Sequence, residues 1–118
     1  MKDNMLSKEM RKGFLKMLVL KIISERPIHG YDIINEIESK TMGHWVPSPG
    51  SIYPALDFLE SKGYIRMEEI DRKKVYTITE EGKEALKYID QRRRELAREI
   101  NAIFEDTTEE SDDGKPCD

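Results

Sequence analysis

Two short stretches of this 118-residue chain carry residue types whose spacing bears on chemistry. One is Ser48-Pro49-Gly50-Ser51-Ile52-Tyr53, with Asp57 one turn further on. It offers hydroxyls, a phenol and a carboxylate along one short helix. The other is Arg72-Lys73-Lys74, a run of consecutive cations. Hydroxyls donate to and accept from bases and phosphates, while Lys and Arg neutralise phosphates. The chemistry these residues could do is recognition of a nucleic acid. Catalysis has no comparable support. A nucleophilic site needs a nucleophile, a base and an orienting group brought together. The only histidines, His29 at a helix start and His44 in a connector, form no such pattern. There is no phosphate-cradling glycine loop, and a lone Cys117 with two scattered histidines makes no metal cluster. The expectation is a protein with no enzymatic activity, metal or cofactor.

Charge needs a closer look, because the net value of −4 argues against a polyanionic partner. Residues 1–27 hold seven Lys or Arg against three Asp or Glu. Residues 106–118 hold six acids against Lys115 alone, so the tail accounts for more than the whole negative balance. Affinity for DNA depends on local cations meeting phosphates, not on the sum. The single cysteine cannot form an internal disulfide, which fits a reducing compartment. The most apolar run, 14–23, is interrupted by Lys16 and Lys21 and is too short to span a bilayer. These features predict a cytoplasmic protein that makes no use of a membrane.

Positioning the two stretches requires a particular order of elements. Met10, Phe14, Leu18 and Ile22, widened by Leu15, Val19 and Ile23, predict a first helix over 5–25 that Pro27 ends. A second helix is expected over 30–41, with Tyr31, Ile33, Ile34 and Ile37 buried and Gly43 as its stop. Trp45, in the connector that follows, reads as a lid on the core. The third helix begins between Ser48 and Ser51. Pro54 favours Ser51 as the cap, because its missing N–H then falls among the first-turn donors that lack partners anyway. Ile52, Leu56 and Leu59 would face the core, with Gly63 ending the helix. Residues 64–70 and 74–79 read as a hairpin whose turn, Asp71-Arg72-Lys73, lacks the glycine usual in a type I′ turn.

Thr79 caps a last helix, with Glu80 and Glu81 against its positive end. Along it Leu86, Ile89, Arg93, Leu96, Ile100 and Ile103 follow at alternating spacings of three and four, a heptad seam with one polar break. Pairing with a second helix is the simplest use for it. Arg92-Arg93-Arg94 is balanced by Asp90, Glu95 and Glu99 and reads as a solvated face.

The fold class expected is mainly α with a small β hairpin: a winged helix-turn-helix over 1–79, a dimerisation helix over 80–104 and an acidic disordered tail over 105–118. In a helix-turn-helix the second helix enters the major groove by its N-terminal residues. That assigns Ser48, Ser51, Tyr53 and Asp57 to DNA, with Arg72, Lys73 and Lys74 as a wing along the backbone or the minor groove. Tyr53 has a second reading, packing beside Trp45. No arginine stands ready for the bidentate guanine contact, so specificity is modest or leans on DNA shape.

The chain resembles the PadR family of transcriptional regulators. The matching residues are His29-Gly30-Tyr31-Asp32-Ile33, then 47–56 from Pro47 through Tyr53-Pro54 to Leu56, then Leu59-Glu60-Ser61-Lys62-Gly63-Tyr64-Ile65, then Tyr76-Thr77-Ile78-Thr79-Glu80-Glu81-Gly82. The resemblance implies a winged-helix homodimer that represses promoters by binding double-stranded DNA, released in several members by a small aromatic or drug-like effector. It makes the helix opening at Pro49 to Tyr53, Gly50 included, the recognition helix, and the single C-terminal helix a mark of the compact branch. The wing, without glycine, is expected to have a shorter tip. A winged helix that binds protein rather than DNA is the alternative.

Overall fold

A computed structural model describes residues 5–111, and side chains for residues 8–105. The elements run α1 (Met5–Glu25), β1 (Ile28–His29), α2 (Gly30–Lys40), α3 (Pro49–Ser61), β2 (Ile65–Ile70), β3 (Lys73–Ile78) and α4 (Glu80–Ser111). The described residues form two compact units, divided after Leu86. The first is a winged helix: three helices over a three-stranded antiparallel sheet of order β1-β3-β2. Among the described residues no helix is long and apolar enough to cross a membrane.

The core of this unit is aliphatic. Val19, Leu20, Ile22 and Ile23 of α1 meet Ile33 and Ile37 of α2 and Ile52 and Leu56 of α3, all fully buried. Each such side chain contributes about 1.5–3 kcal/mol by leaving water. The α1 stripe is shifted from the expected one. Leu15, Val19 and Ile22 form its centre, whereas Met10 and Phe14 are exposed. In α2 the stripe is Gly30, Ile33, Ile34 and Ile37. Tyr31, expected inside, is 62% exposed because it lies about 100° round the helix from Gly30. Trp45 is half-buried, with the Arg11 guanidinium 5.5 Å from its ring.

Helix ends are set by local chemistry. Ser48, not Ser51, caps α3: its side chain accepts from the Ser51 N–H at 3.2 Å, and Pro49 takes the first helical position. Pro54 therefore lies inside the helix. The carbonyl it fails to satisfy is that of Gly50, which is exposed, so water can take the lost bond. At the other end Gly63 adopts φ 79°, its N–H donating to the Glu60 carbonyl and that of Tyr64 to Leu59. In α2 the same closure places Met42 at the left-handed position (φ 53°), one residue ahead of Gly43. Met42 donates to Ser39 and Gly43 to Glu38.

The sheet adds one strand to the expected hairpin. Ile28 and His29 pair with Tyr76 and Val75 on β3, a two-residue strand too short to leave a periodic signal. Between β2 and β3, Ile70 pairs with Lys73, so the turn has only Asp71 and Arg72 at its centre. Both have positive φ, 52° and 66°, as a type I′ turn demands, although neither is glycine. The tip is short, and Lys73 belongs to the strand.

Thr79 opens α4. Its hydroxyl accepts from the Gly82 N–H at 3.0 Å and donates to the Gly63 carbonyl at 2.6 Å. A Cβ on Gly82 would overlap the Tyr64 carbonyl oxygen and come within 2.7 Å of Ile78. This close seat ties the start of α4 to the first unit, which runs to Leu86. The helix continues to Ser111 instead of stopping at 104, since extending a helix needs no new nucleus. Of the expected tail, residues 105–111 continue α4, and 112–118 lie outside the described residues.

On α4 the seam residues divide by exposure. Leu86 and Ile89 are half-buried, while Leu96, Ile100 and Ile103 are 44%, 42% and 65% exposed. Arg93, its polar break, donates to Asp90 at 2.6 Å. Arg94 reaches the other oxygen of Asp90 at 2.8 Å, and Arg92 meets Glu95 at 2.6 Å. The Arg92 hydrogen bond holds the Glu95 carboxyl below its ordinary pKa and raises that of the guanidinium. The arginine run is compensated, as its acidic neighbours suggested.

Candidate nucleic-acid interface

Helix α3 presents a row of small or acidic residues outward. Gly50, Pro54, Asp57 and Ser61 recur at spacings of four, three and four opposite the buried Ile52, Ala55, Leu56 and Leu59, and all four are exposed. The helix contains no cation, and Asp57 and Glu60 make its later turns acidic. Any attraction for phosphate must come from its positive N-terminal end and from neighbouring elements.

On one flank of this row Tyr53 closes a groove with the N-terminus of α2 and the wing. Its lining is His29, Gly30, Tyr31, Asp32, Tyr53, Arg72, Lys73 and Lys74. The Tyr53 ring lies over Gly30, and a Cβ at that position would stand 3.0–3.3 Å from the ring and its hydroxyl. Glycine at 30 is what lets the tyrosine settle there. Tyr53 thus packs against Gly30, not against Trp45. His29 Nδ1 is 3.3 Å from Asp32, so the first turn of α2 carries its own carboxylate. Beneath this flank Tyr76 is buried. Desolvation, then the nearby Glu60 carboxylate, push its hydroxyl pKa up, so it stays neutral.

On the other flank Ser48, Gly50 and Ser51 look toward α1. There Lys8, Arg11, Lys12 and Lys16 stand along Leu15, opposite Val46, Pro47, Ser48, Ser51, Pro54 and Phe58. The Lys16 ammonium sits 4.5 Å from the Phe58 ring centre.

The expected site residues are therefore brought together in two groups. Tyr53 joins Arg72, Lys73 and Lys74; Ser48, Gly50 and Ser51 form a second cluster; Asp57 lies on the outward row and lines neither groove. Two sets of residues were missed from the sequence. His29 at the end of β1 and Tyr31 and Asp32 of α2 could have been found through the helix start at Gly30 beside a strand. The α1 lysines were visible only as charges off a buried stripe, and nothing local says which element they will face.

Known proteins share this sequence pattern and this fold. The pattern of the family described as "Transcriptional regulator PadR-like family" matches residues 19–88. The "Transcriptional regulator YqjI" of Escherichia coli strain K12 is 45% identical over 71 residues, covering 59% of this chain and 34% of that protein. This chain spans about a third of the length of the curated relatives of that name. Among solved structures, a transcriptional regulator from Clostridium thermocellum aligns with a TM-score of 0.77 at 28% identity, over 81% of this chain and 95% of that one. A PadR-like transcriptional regulator from Bacillus cereus strain ATCC 14579 aligns at 0.72 and 27% identity, over 81% and 96%.

Proposed function

The chain belongs to the PadR-like family of transcriptional regulators, and from that premise we propose that it is a homodimeric repressor that binds a palindromic operator. The family is one of regulators, not enzymes. The observation that carries the DNA reading is the convergence of Tyr53, the α2 N-terminus and the wing cations on one groove beside the exposed row of α3. In this reading α3 enters the major groove through Ser48, Gly50, Ser51 and Tyr53. Asp57 faces the bases, where a carboxylate can accept from the cytosine amino group. Arg72, Lys73 and Lys74 lie along the phosphates.

Pairing of two copies is supported by the exposed stripe of Leu96, Ile100 and Ile103, which leaves apolar surface in water in a single chain. Met10 and Phe14 on α1 are a second exposed apolar pair. Two-fold symmetry then sets half-sites about one helical turn apart. Such a regulator works in the cytoplasm, beside the chromosome. Release by a small aromatic effector belongs to the same reading, although α4 offers Tyr88 and Phe104 and no tryptophan to stack on one.

The test is fluorescence anisotropy with an inverted-repeat fragment from upstream of the gene, over a range of salt. Binding should weaken steeply with salt. Replacing Arg72, Lys73 and Lys74 by alanine should flatten the log–log slope by roughly 2–3, about 0.9 for each phosphate no longer neutralised. Absence of binding at low salt would favour a winged helix that docks on protein instead.

A further inference from the structure

We infer that the N-terminal half of α1 is a second phosphate-binding surface, which grips the DNA strand on the side of α3 away from the wing. The inference rests on the DNA-binding reading and extends it to residues outside the helix-turn-helix and the wing.

The two grooves flank the same outward row of α3. Tyr53 marks one side of that row; Ser51 and Phe58 mark the other, at the opposite angular position around the helix. A helix lying in the major groove, about 12 Å wide, has a phosphate backbone on each side of it. The wing serves one backbone. On the other side stand Lys8, Arg11, Lys12 and Lys16, and no carboxylate lines either part of this groove. Its opposite wall carries the Ser48 and Ser51 hydroxyls at the positive end of α3. Lysines, serines and a helix N-terminus are phosphate-binding chemistry.

Local contacts divide these cations by role. Arg11 is held over Trp45 and donates to the His44 carbonyl at 3.2 Å, so it builds the wall. Lys16 rests its ammonium on Phe58, which gives that 40% exposed ring a use: it aims the cation along the flank of α3. Lys12 has a carboxylate neighbour, Glu9, at 3.7 Å, but both side chains are more than half exposed and a pair of this kind is weak. Phosphate can displace it. Lys12 and Lys16 are one helical turn apart, so they follow a backbone rather than converge on a point. The later turns of α3 carry Asp57 and Glu60 and no cation, so beyond its positive N-terminal end the helix offers phosphate no attraction of its own.

The experiment compares salt slopes of binding to the same inverted-repeat fragment for the full chain and its variants. Lys12→Ala with Lys16→Ala should lower the slope by roughly 2 with an unchanged melting temperature. Lys12→Arg with Lys16→Arg should restore it, since charge and not packing is at work. Combined with the wing substitutions, the reductions in slope should add. Lys83→Ala, at a lysine that lines neither groove, should leave the slope as it is. An unchanged slope in the alanine pair, or an equal reduction in Lys83→Ala, overturns the inference while the wing result upholds DNA binding. Wild-type protein that fails to bind overturns both.

Discussion

Arg72 occupies a position that the backbone reserves for glycine or asparagine. At φ 66° its Cβ crowds its own carbonyl, a cost of about 1 kcal/mol or slightly more. Asp71, at φ 52°, is better suited to the left-handed region. A cation kept in a strained turn at the wing tip is consistent with service to a ligand rather than to the fold. Arg72→Gly should therefore stabilise the domain by about 1 kcal/mol in chemical denaturation while weakening DNA binding at moderate salt. Tighter binding by the glycine variant would remove Arg72 from the interface. Tyr53 poses the complementary question, because its ring packs on Gly30 while 37% of the residue stays exposed. Tyr53→Phe keeps the ring and removes the hydroxyl. It should leave the melting temperature in place and cost about 1 kcal/mol of affinity, roughly fivefold. Equal affinity would return Tyr53 to a purely packing role. At this scale the sequence spoke through residue types. Hydroxyls and cations announced themselves, whereas the partner of Tyr53 was not legible, because Gly30 and Tyr53 are brought together by tertiary packing.

Elements were legible where a cap or a breaker sets the boundary. Pro27 after α1, Gly63 after α3 and Thr79 before α4 each act through bonds within a few residues of themselves, or through geometry that any chain must obey. Reading failed where two local rules competed. Ser48 and Ser51 both offered caps, and the penalty expected at Pro54 tilted the choice to Ser51; exposure of Gly50 lowers that penalty and lets Ser48 prevail. The end of α2 shows a similar competition. Gly43 is the evident stop and has φ 81°, yet Met42 before it, 84% exposed, is left-handed as well. Met42→Gly should stabilise the protein by about 1 kcal/mol, measured as a shift in the urea midpoint at constant m-value. A neutral or destabilising result would mean that the methionine contributes contacts that its exposure conceals. The strand β1 had no signal at all, since two residues cannot establish a period and their pairing depends on β3, 46 or more positions away.

For the whole molecule the decisive surface is the one a single chain leaves uncovered. Leu96→Asp or Ile100→Asp places a carboxylate in the proposed seam, where burial of an unpaired charge is prohibitive. Either variant should sediment as a monomer and lose about a hundredfold or more in affinity for a two-half-site fragment, because the second half-site no longer binds as part of the same particle. A variant that remains dimeric would place the interface elsewhere, with Met10 and Phe14 the next surface to test. The sequence by itself determined the order of helices, the helix caps at Thr79 and Gly63, the heptad stripe and the residue types available to phosphate. These follow from interactions along the chain, where spacing along the sequence is spacing in space. Only the tertiary structure decided which cations share a flank with α3. It set Tyr53 on Gly30, gathered Arg72 to Lys74 with the start of α2, and turned Lys12 and Lys16 toward Ser51 and Phe58. Those neighbours are far apart in sequence, and their meeting depends on how helices bury their apolar faces, which leaves the placement of charges as a consequence of the core.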